Sequence, residues 1–307
     1  MNSESLDRLI ALDAAGFLIT PGEDAAGFLK RVEAVREVSA AFEKELASGE
    51  KIKVFDIFEV SADCRIPPEI TGEVAGITEK LYGFAVHHVP GFFLKKKIGW
   101  LWGGCLVGDP EANFAVFLLR DVFRKKRRFL NYCREELLAH ELCHAVRHVM
   151  EEPALEEYFA YQTSDSPLRR YLGNCFISDK DALGFLLPVM LLPAAELVKA
   201  LFLPWFPSWI FWILAVIYPL FLLCRNHFSR KLVIHAAENL RKAGVSRAEA
   251  VLFRCTLEEV GQFSTAKAED IPGIIEEKSA GSLRWQVISA RFCQPAEPAG
   301  AEGVENL

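Results

Sequence analysis

From Ala200 to Cys224 the chain carries 25 residues without a charge, among them Trp205, Trp209 and Trp212. An α-helix needs about 20 such residues to cross the hydrocarbon of a bilayer. A second uncharged run, Leu183–Ala195, lies just upstream, and the apolar character continues to Leu203 except at Glu196 and Lys199. Pro204 and Pro207 fall between the two runs, where the chain must turn. The pattern predicts a transmembrane helical hairpin over residues 183–224, with arms at 183–203 and 208–224. Arg169, Arg170 and Lys180 precede it, Arg225, Arg230 and Lys231 follow it, and the connecting loop has no basic residue. The positive-inside rule then predicts an integral membrane protein with two spans and with its soluble parts and both termini in the cytoplasm. The competing reading is a helical hairpin buried in a large soluble core. Glu196 and Lys199, one helical turn apart, fit a pair at the far interface.

Apolar residues make up 51% of the 307, yet 25% are charged, a mosaic of charged soluble parts around one apolar stretch. The net charge of −6 offers no basic field, and no nucleic-acid-binding motif is present, so no nucleic-acid partner is expected. Eight cysteines are scattered singly, and the acidic N-terminus lacks the basic start and apolar core of a signal peptide. Free thiols in a reducing cytoplasm are the expectation.

Residues 1–50 read as a helical N-terminal region, with Ala25, Phe28, Leu29, Val32, Val35, Val38 and Phe42 at spacings of three and four. Residues 51–60 alternate like a strand, and 69–81 read as a short helix after Pro67-Pro68. Three β-rich runs follow, Tyr82–Val89, Trp100–Val107 and Asn113–Leu119, separated by Gly91, Gly99, Gly103-Gly104 and Gly108-Asp109-Pro110. A helix is predicted over 131–150, ended by Glu151-Glu152-Pro153, and another over 153–162. Beyond the hairpin, residues 225–293 read as a C-terminal helical region. Its helices are predicted over 229–243, ended by Gly244, over 247–261, with a Ser246/Glu249 capping box, and over 282–292. The tail 294–307 is rich in Pro, Ala, Gly and Glu and is expected to be disordered.

The chemistry lies in His140-Glu141-Leu142-Cys143-His144. On a helix, positions i and i+4 share a face, so both imidazoles can reach one Zn²⁺ while Glu141 stands beside them to take a proton from water. Leu137, Leu138, Leu142, Ala145 and Val146 supply apolar contacts that bury one side of that helix. A zinc hydrolase needs a third protein ligand and an open fourth position. His148 lies about 12 Å along the axis from His140, too far for a shared metal on a continuous helix. Pro153 breaks the helix, so the next one can fold back and bring a carboxylate, from Glu156 or Glu157, to the histidines.

These residues resemble the gluzincin metallopeptidases, in which a downstream Glu-x-x-Ala helix supplies the third ligand. The resemblance picks Glu157, followed by Ala160, and covers 112–161 closely. It implies an α+β zincin-like catalytic domain, here 51–165, holding Zn²⁺ through His140, His144 and Glu157, with Glu141 as general base. A transmembrane hairpin after the catalytic part looks like the HtpX-like and CAAX-protease branch. Only 12 residues separate His144 from Glu157, however, where HtpX-like enzymes place membrane spans, so the compact spacing is more similar to minimal gluzincins. The metzincin extension is absent, since Arg147 stands where its Gly would. The resemblance further implies a protein or peptide substrate laid along an edge strand, either Trp100–Val107 or Asn113–Leu119. Tyr158, Tyr161 and Arg147 are the sequence neighbours that could steady an oxyanion.

The expected function is therefore a membrane-anchored, zinc-dependent endopeptidase. The alternative is a membrane-anchored scaffold with a structural or degenerate zinc site. Cys143 is expected to be a packed thiol, His87-His88 to be surface residues, and Lys95–Lys97 and Arg124–Arg128 to be solvated or lipid-facing loops.

Overall fold

The computed structural model describes residues 3–49, 51–54, 57–95, 99, 102–109 and 114–293. The elements run α1 (Ser3–Ala14), α2 (Ala25–Ala47), β1 (Ile52–Val54), β2 (Phe58–Val60), α3 (Pro68–Tyr82), β3 (Gly91–Leu94), β4 (Gly104–Asp109) and β5 (Phe114–Arg120). Then come α4 (Val122–Lys125), β6 (Arg128–Phe129), β7 (Tyr132–Cys133), α5 (Arg134–Arg147), α6 (Pro153–Tyr161) and α7 (Pro167–Leu172). The long helices α8 (Asp179–Leu201) and α9 (Trp209–Lys242) follow, and α10 (Ala248–Phe253), α11 (Leu257–Thr265), α12 (Ile271–Gly281) and α13 (Leu283–Ile288) close the described chain. The molecule is mixed α+β and mostly helical.

A three-stranded sheet of order β3-β5-β4 carries the centre, with β3 parallel and β4 antiparallel to β5. The sequence of β5, Phe-Ala-Val-Phe-Leu-Leu-Arg, is apolar on both faces, as a strand covered on both sides must be. Phe117 and Leu119 face α5, where they meet Leu138 and Leu142. Phe114, Val116 and Leu118 face α2, against Val38, Phe42 and Leu46. Helix α5 lies on this sheet because Leu138, Ala139, Leu142, Cys143 and Val146 form one buried stripe at helical spacing. The same cluster takes in Val233, Ala236, Ala237 and Leu240 of α9, Val251 and Phe253 of α10, and Trp285 of α13. The residues after the hairpin thus share a core with the helix that bears the histidines.

One cation fastens that junction. Arg147 is fully buried, its guanidinium over the rings of Phe159 and Phe253, and it donates to the carbonyls of Phe253 and, at 2.9 Å, of Cys255. Burial pulls its pKa down to about 10, which leaves it protonated at neutral pH.

Several elements differ from the sequence pattern. The first helical region breaks at 15–24, where Gly16 and Gly22 take positive φ and Asp24 caps α2 by accepting from the Gly27 N–H. Residues 51–60 are not one strand but the antiparallel pair β1–β2, turned at Ile57; residues 55–56 lie outside the described set. Tyr82–Val89 is not a strand: Tyr82 ends α3, Gly83 caps it in the left-handed region, and Phe84 and Val86 enter the core from extended, unpaired chain. The alternation there records burial, not sheet pairing. The predicted helix 247–261 is split at Arg254–Thr256, and the capping box forms on Thr256 and Glu259, not on Ser246 and Glu249. The helix predicted over 229–243 is the continuation of the second hairpin arm, since no Gly or Pro interrupts 220–243. Residues 96–98, 100–101, 110–113 and the tail 294–307, where further expectations fell, lie outside the described residues.

Helices α8 and α9 are long and apolar enough to cross a membrane, and only 11% of the most apolar stretch of each is buried within the protein. Met190, Leu201, Trp209 and Trp212 are among the many large apolar side chains left exposed on them, with Phe202 and Trp205 exposed in the turn between. Such coverage is far below that of a soluble core helix. Gly184 of α8 admits Tyr218 of α9 so closely that a Cβ would sit 2.4 Å from its ring, the close approach typical of small residues between apolar helices. At the connecting turn the Trp212 indole N–H donates to Glu196 at 2.8 Å.

His87 is exposed, whereas the His88 imidazole is stacked on Phe17, ring centres 4.2 Å apart. Burial, then the charges of His87 and Arg36, push its pKa down to about 4. An unfolded histidine titrates near 6.5, so the unfolded chain binds this proton first. Stability from this group is complete above about pH 6.5 and is lost as pH falls toward 4, by at most about 3 kcal/mol. Urea midpoints between pH 7 and 4 should fall less steeply in His88→Phe than in the wild type.

Candidate metal centre

The buried stripe of α5 fixes which way its other face points. His140, Glu141 and His144 are on the side away from the core, next to α6. Glu151, at positive φ, and Pro153 at the first position of α6 reverse the chain, and α6 packs back along α5 through Leu155, Phe159 and Ala160. Glu157 is thereby delivered to the histidines.

His140, His144 and Glu157 each present a donor atom, and these atoms all lie within 4.8 Å of one another. The Nε2 atoms of His140 and His144 are 3.2 Å apart. Glu157 places Oε2 3.8 Å from His140 Nε2 and Oε1 3.5 Å from His144 Nε2. Ligands on a tetrahedral zinc, at about 2.0–2.2 Å from the ion, are separated by roughly 3.3–3.5 Å. The triad therefore has the donor types and the spacing of a three-ligand zinc site.

The outer partners have the arrangement that orients metal-bound histidines. His140 makes a hydrogen bond with the Ala160 backbone. Glu156 sets Oε2 3.6 Å from His144 Nδ1, an ion-pair distance, so the two neighbouring glutamates serve different nitrogens. Electrostatics divide the pair. Burial, then the neighbouring His144, pushes His140 down to about 3 and keeps it neutral. Burial also opposes charge on His144, but the carboxylates of Glu156, Glu157 and Glu141 outweigh it and raise the pKa. Burial raises Glu157 as well. A shared divalent cation would satisfy all three groups at once.

Glu141 reaches past the triad to the edge strand, where its Oε2 accepts the Leu106 N–H at 3.1 Å. Burial lifts its carboxyl above the usual range, while His144 pulls the other way. A cavity of about 320 Å³ opens here, lined by His140, Glu141, Gly104, Leu137, Tyr161 and Arg169 among others. Tyr132, Glu136 and Arg169 also line a neighbouring cavity of about 260 Å³, so a groove continues from the triad. Strand β4 meets the cavity at Gly104, and among the described residues it pairs with β5 alone. Of the two runs expected to offer an edge, Asn113–Leu119 is excluded, because β5 is the central strand.

Among the three neighbours that could steady an oxyanion, only Tyr161 lines the cavity. Its ring meets His140 edge-on, with centres 4.6 Å apart. Tyr158 is buried under Arg230, and Arg147 is fully buried against the rings of Phe159 and Phe253. His148 is exposed and bonds the Ala145 carbonyl, apart from the triad. Cys143 is a fully packed thiol whose pKa burial pushes up. Arg124 and Arg127 of the basic loop are held locally, to the Asp63 carbonyl and to the buried Glu135.

Tyr161 and Gly173 were not singled out as a pair in the sequence. The available signal was the spacing of Tyr161, four residues after Glu157 and so on its face of α6. Gly173 has no such signal: a Cβ there would lie 2.1 Å from the Tyr161 ring. Gly173→Ala is expected to push the ring off His140 and lower stability by about 1–3 kcal/mol, read as a drop in thermal midpoint.

No family model, curated protein or solved structure matches this chain. Fold and site are the basis for assigning a role.

Proposed function

We propose that the protein is a membrane-anchored zinc endopeptidase of gluzincin type, with a zincin-like catalytic part. One observation carries this reading: His140, His144 and Glu157 converge at zinc-ligand spacing while Glu141, a carboxylate that a structural site does not need, lines a cavity together with His140. The donor set of two imidazoles and one carboxylate fits zinc, and these three residues would hold it. Zinc bound there would supply Lewis acidity and bring the pKa of its water toward neutrality.

This chain's own residues then have defined tasks. Glu141 takes a proton from water as its oxygen adds to the peptide carbonyl carbon, and passes that proton to the leaving amine nitrogen as the C–N bond breaks. The Leu106 N–H holds the Glu141 carboxylate in place. The free edge of β4 aligns an extended peptide along the groove, which supports a protein or peptide substrate. Tyr161 lines the cavity against His140, which supports its role as donor toward the developing oxyanion. Glu156 and the Ala160 carbonyl orient the two histidines.

The two exposed apolar helices support anchoring in a lipid bilayer, and the basic residues at their near ends support a cytoplasmic domain. Both ends are pinned together there, since Arg225 pairs with Asp181 at 2.8 Å and donates to the Cys175 carbonyl. The direct test uses protein purified in lipid nanodiscs. An unstructured peptide or casein should be cleaved, cleavage should stop with a zinc chelator, and stoichiometric zinc should restore it. Cleavage that persists without metal would overturn the assignment.

A further inference from the structure

Helix α7 and the residues after it carry a contiguous exposed apolar face that the hairpin alone does not explain. Leu168, Leu172 and Phe176 recur at steps of four and are 67%, 38% and 42% exposed, with Tyr171 39% exposed beside them. Phe176 continues this face onto α8 through an edge-on contact with Phe185. The neighbouring Arg169 turns the other way, its guanidinium over Tyr132 in the groove wall. The segment is amphipathic, with one side in the groove and one side uncovered.

Its height relative to the apolar helices is fixed by contacts to α9. The uncharged run ends at Cys224, and the next residues are the ones that hold α7. Asn226 donates to the Tyr171 carbonyl at 2.7 Å, Asn174 bonds Ser229 at 3.5 Å, and Arg230 donates to the Arg170 carbonyl while lying over the Tyr171 ring. Cys224 to Ser229 spans about 7.5 Å along a helix, so α7 is held within one or two turns of the apolar run. That is the level of the headgroups, where tyrosines and basic residues such as Arg170 and Lys180 are favoured. The exposed Phe228 of α9, 70% accessible, marks the same level.

We propose that α7 and Phe176 are a second contact with the bilayer, lying in the plane of the headgroup boundary, and that the metal groove therefore opens at the lipid surface. The inference rests on reading α8 and α9 as membrane spans. An amphipathic segment of this kind buries its apolar face roughly 5–10 Å into the boundary. The path from lipid to His140 is then short: the Gly173 backbone, next to Leu172, lies against the Tyr161 ring, and Tyr161 packs on His140.

Full-length protein with an environment-sensitive fluorescent amino acid at position 168, 213 or 57 in turn, reconstituted in phosphatidylcholine/phosphatidylglycerol vesicles, tests this. Ile213 is mid-hairpin, and the exposed Ile57 at the β1–β2 turn is the aqueous reference. Position 168 should emit to the blue of position 57, lose most iodide quenching, and be quenched more by nitroxides near the headgroup than by nitroxides deep in the chain. Position 213 should show the reverse depth preference. An aqueous signal at 168 with a deep signal at 213 overturns the α7 contact and leaves the anchor intact. Aqueous signals at both overturn the anchor, and the inference with it.

Discussion

Glu141→Gln is expected to keep zinc at the wild-type level and to lower peptide hydrolysis by about 10²–10⁴-fold, the range associated with a positioned general base. The amide keeps the size of the carboxylate and can still meet the Leu106 N–H through its oxygen, but it cannot accept a proton. Glu141 also stands outside the triad, so its loss leaves His140, His144 and Glu157 in place. Bound zinc with kcat reduced and little change in KM would mark an interaction made in the transition state. If neither protein hydrolyses anything while both keep zinc, the chain is a metal-holding scaffold on a membrane anchor.

The second large effect concerns stability. Arg147→Ala should destabilise the protein by about 3–5 kcal/mol, because it leaves a cavity among Phe159 and Phe253 and two buried carbonyls without donors. For a chain of this size that is a fall of about 10 °C in thermal midpoint. Arg147→Lys should recover little of it, since one ammonium cannot match a planar fork that stacks on two rings and reaches two carbonyls. Zinc stoichiometry of whatever fraction stays folded should not change, because the Arg147 guanidinium bonds the Phe253 and Cys255 carbonyls and is not one of the triad. An unchanged midpoint would mean that α5 is not fastened to the α10–α11 connection as described.

Arg147 illustrates why part of the molecule was hidden in the sequence. It stands three residues after His144 and looks like a site residue, yet its long side chain is buried on the rings of Phe159 and Phe253 at the edge of the core face of α5. Its partners are carbonyls more than 100 residues away, which no local pattern reports. The two histidines were legible for the opposite reason: four residues of helix bring two imidazoles together whatever the rest of the chain does. Pro153 signals the break that lets α6 fold back with Glu156 or Glu157, and the choice of Glu157 comes from the Glu-x-x-Ala resemblance. The two long apolar helices were legible from the missing charges. The continuation of α9 from apolar arm to core helix was not, because its change of environment at Arg225 reads as a boundary although the backbone does not break. Residues 84–89 alternate like a strand because alternate side chains are buried, and pairing partners are what their sequence could not reveal.

The central claim is that two histidines of α5 and one glutamate of α6 hold a single zinc ion. Its most direct measurement is metal content by elemental analysis, with zinc-edge X-ray absorption, on protein purified in nanodiscs and dialysed free of loose metal. We expect one zinc per chain, two imidazole nitrogens and carboxylate oxygen in its coordination, and loss of the ion in His144→Ala and Glu157→Ala but not in Glu141→Gln. Metal-free wild type that takes up no zinc, or zinc retained after both histidines are removed, would contradict the account.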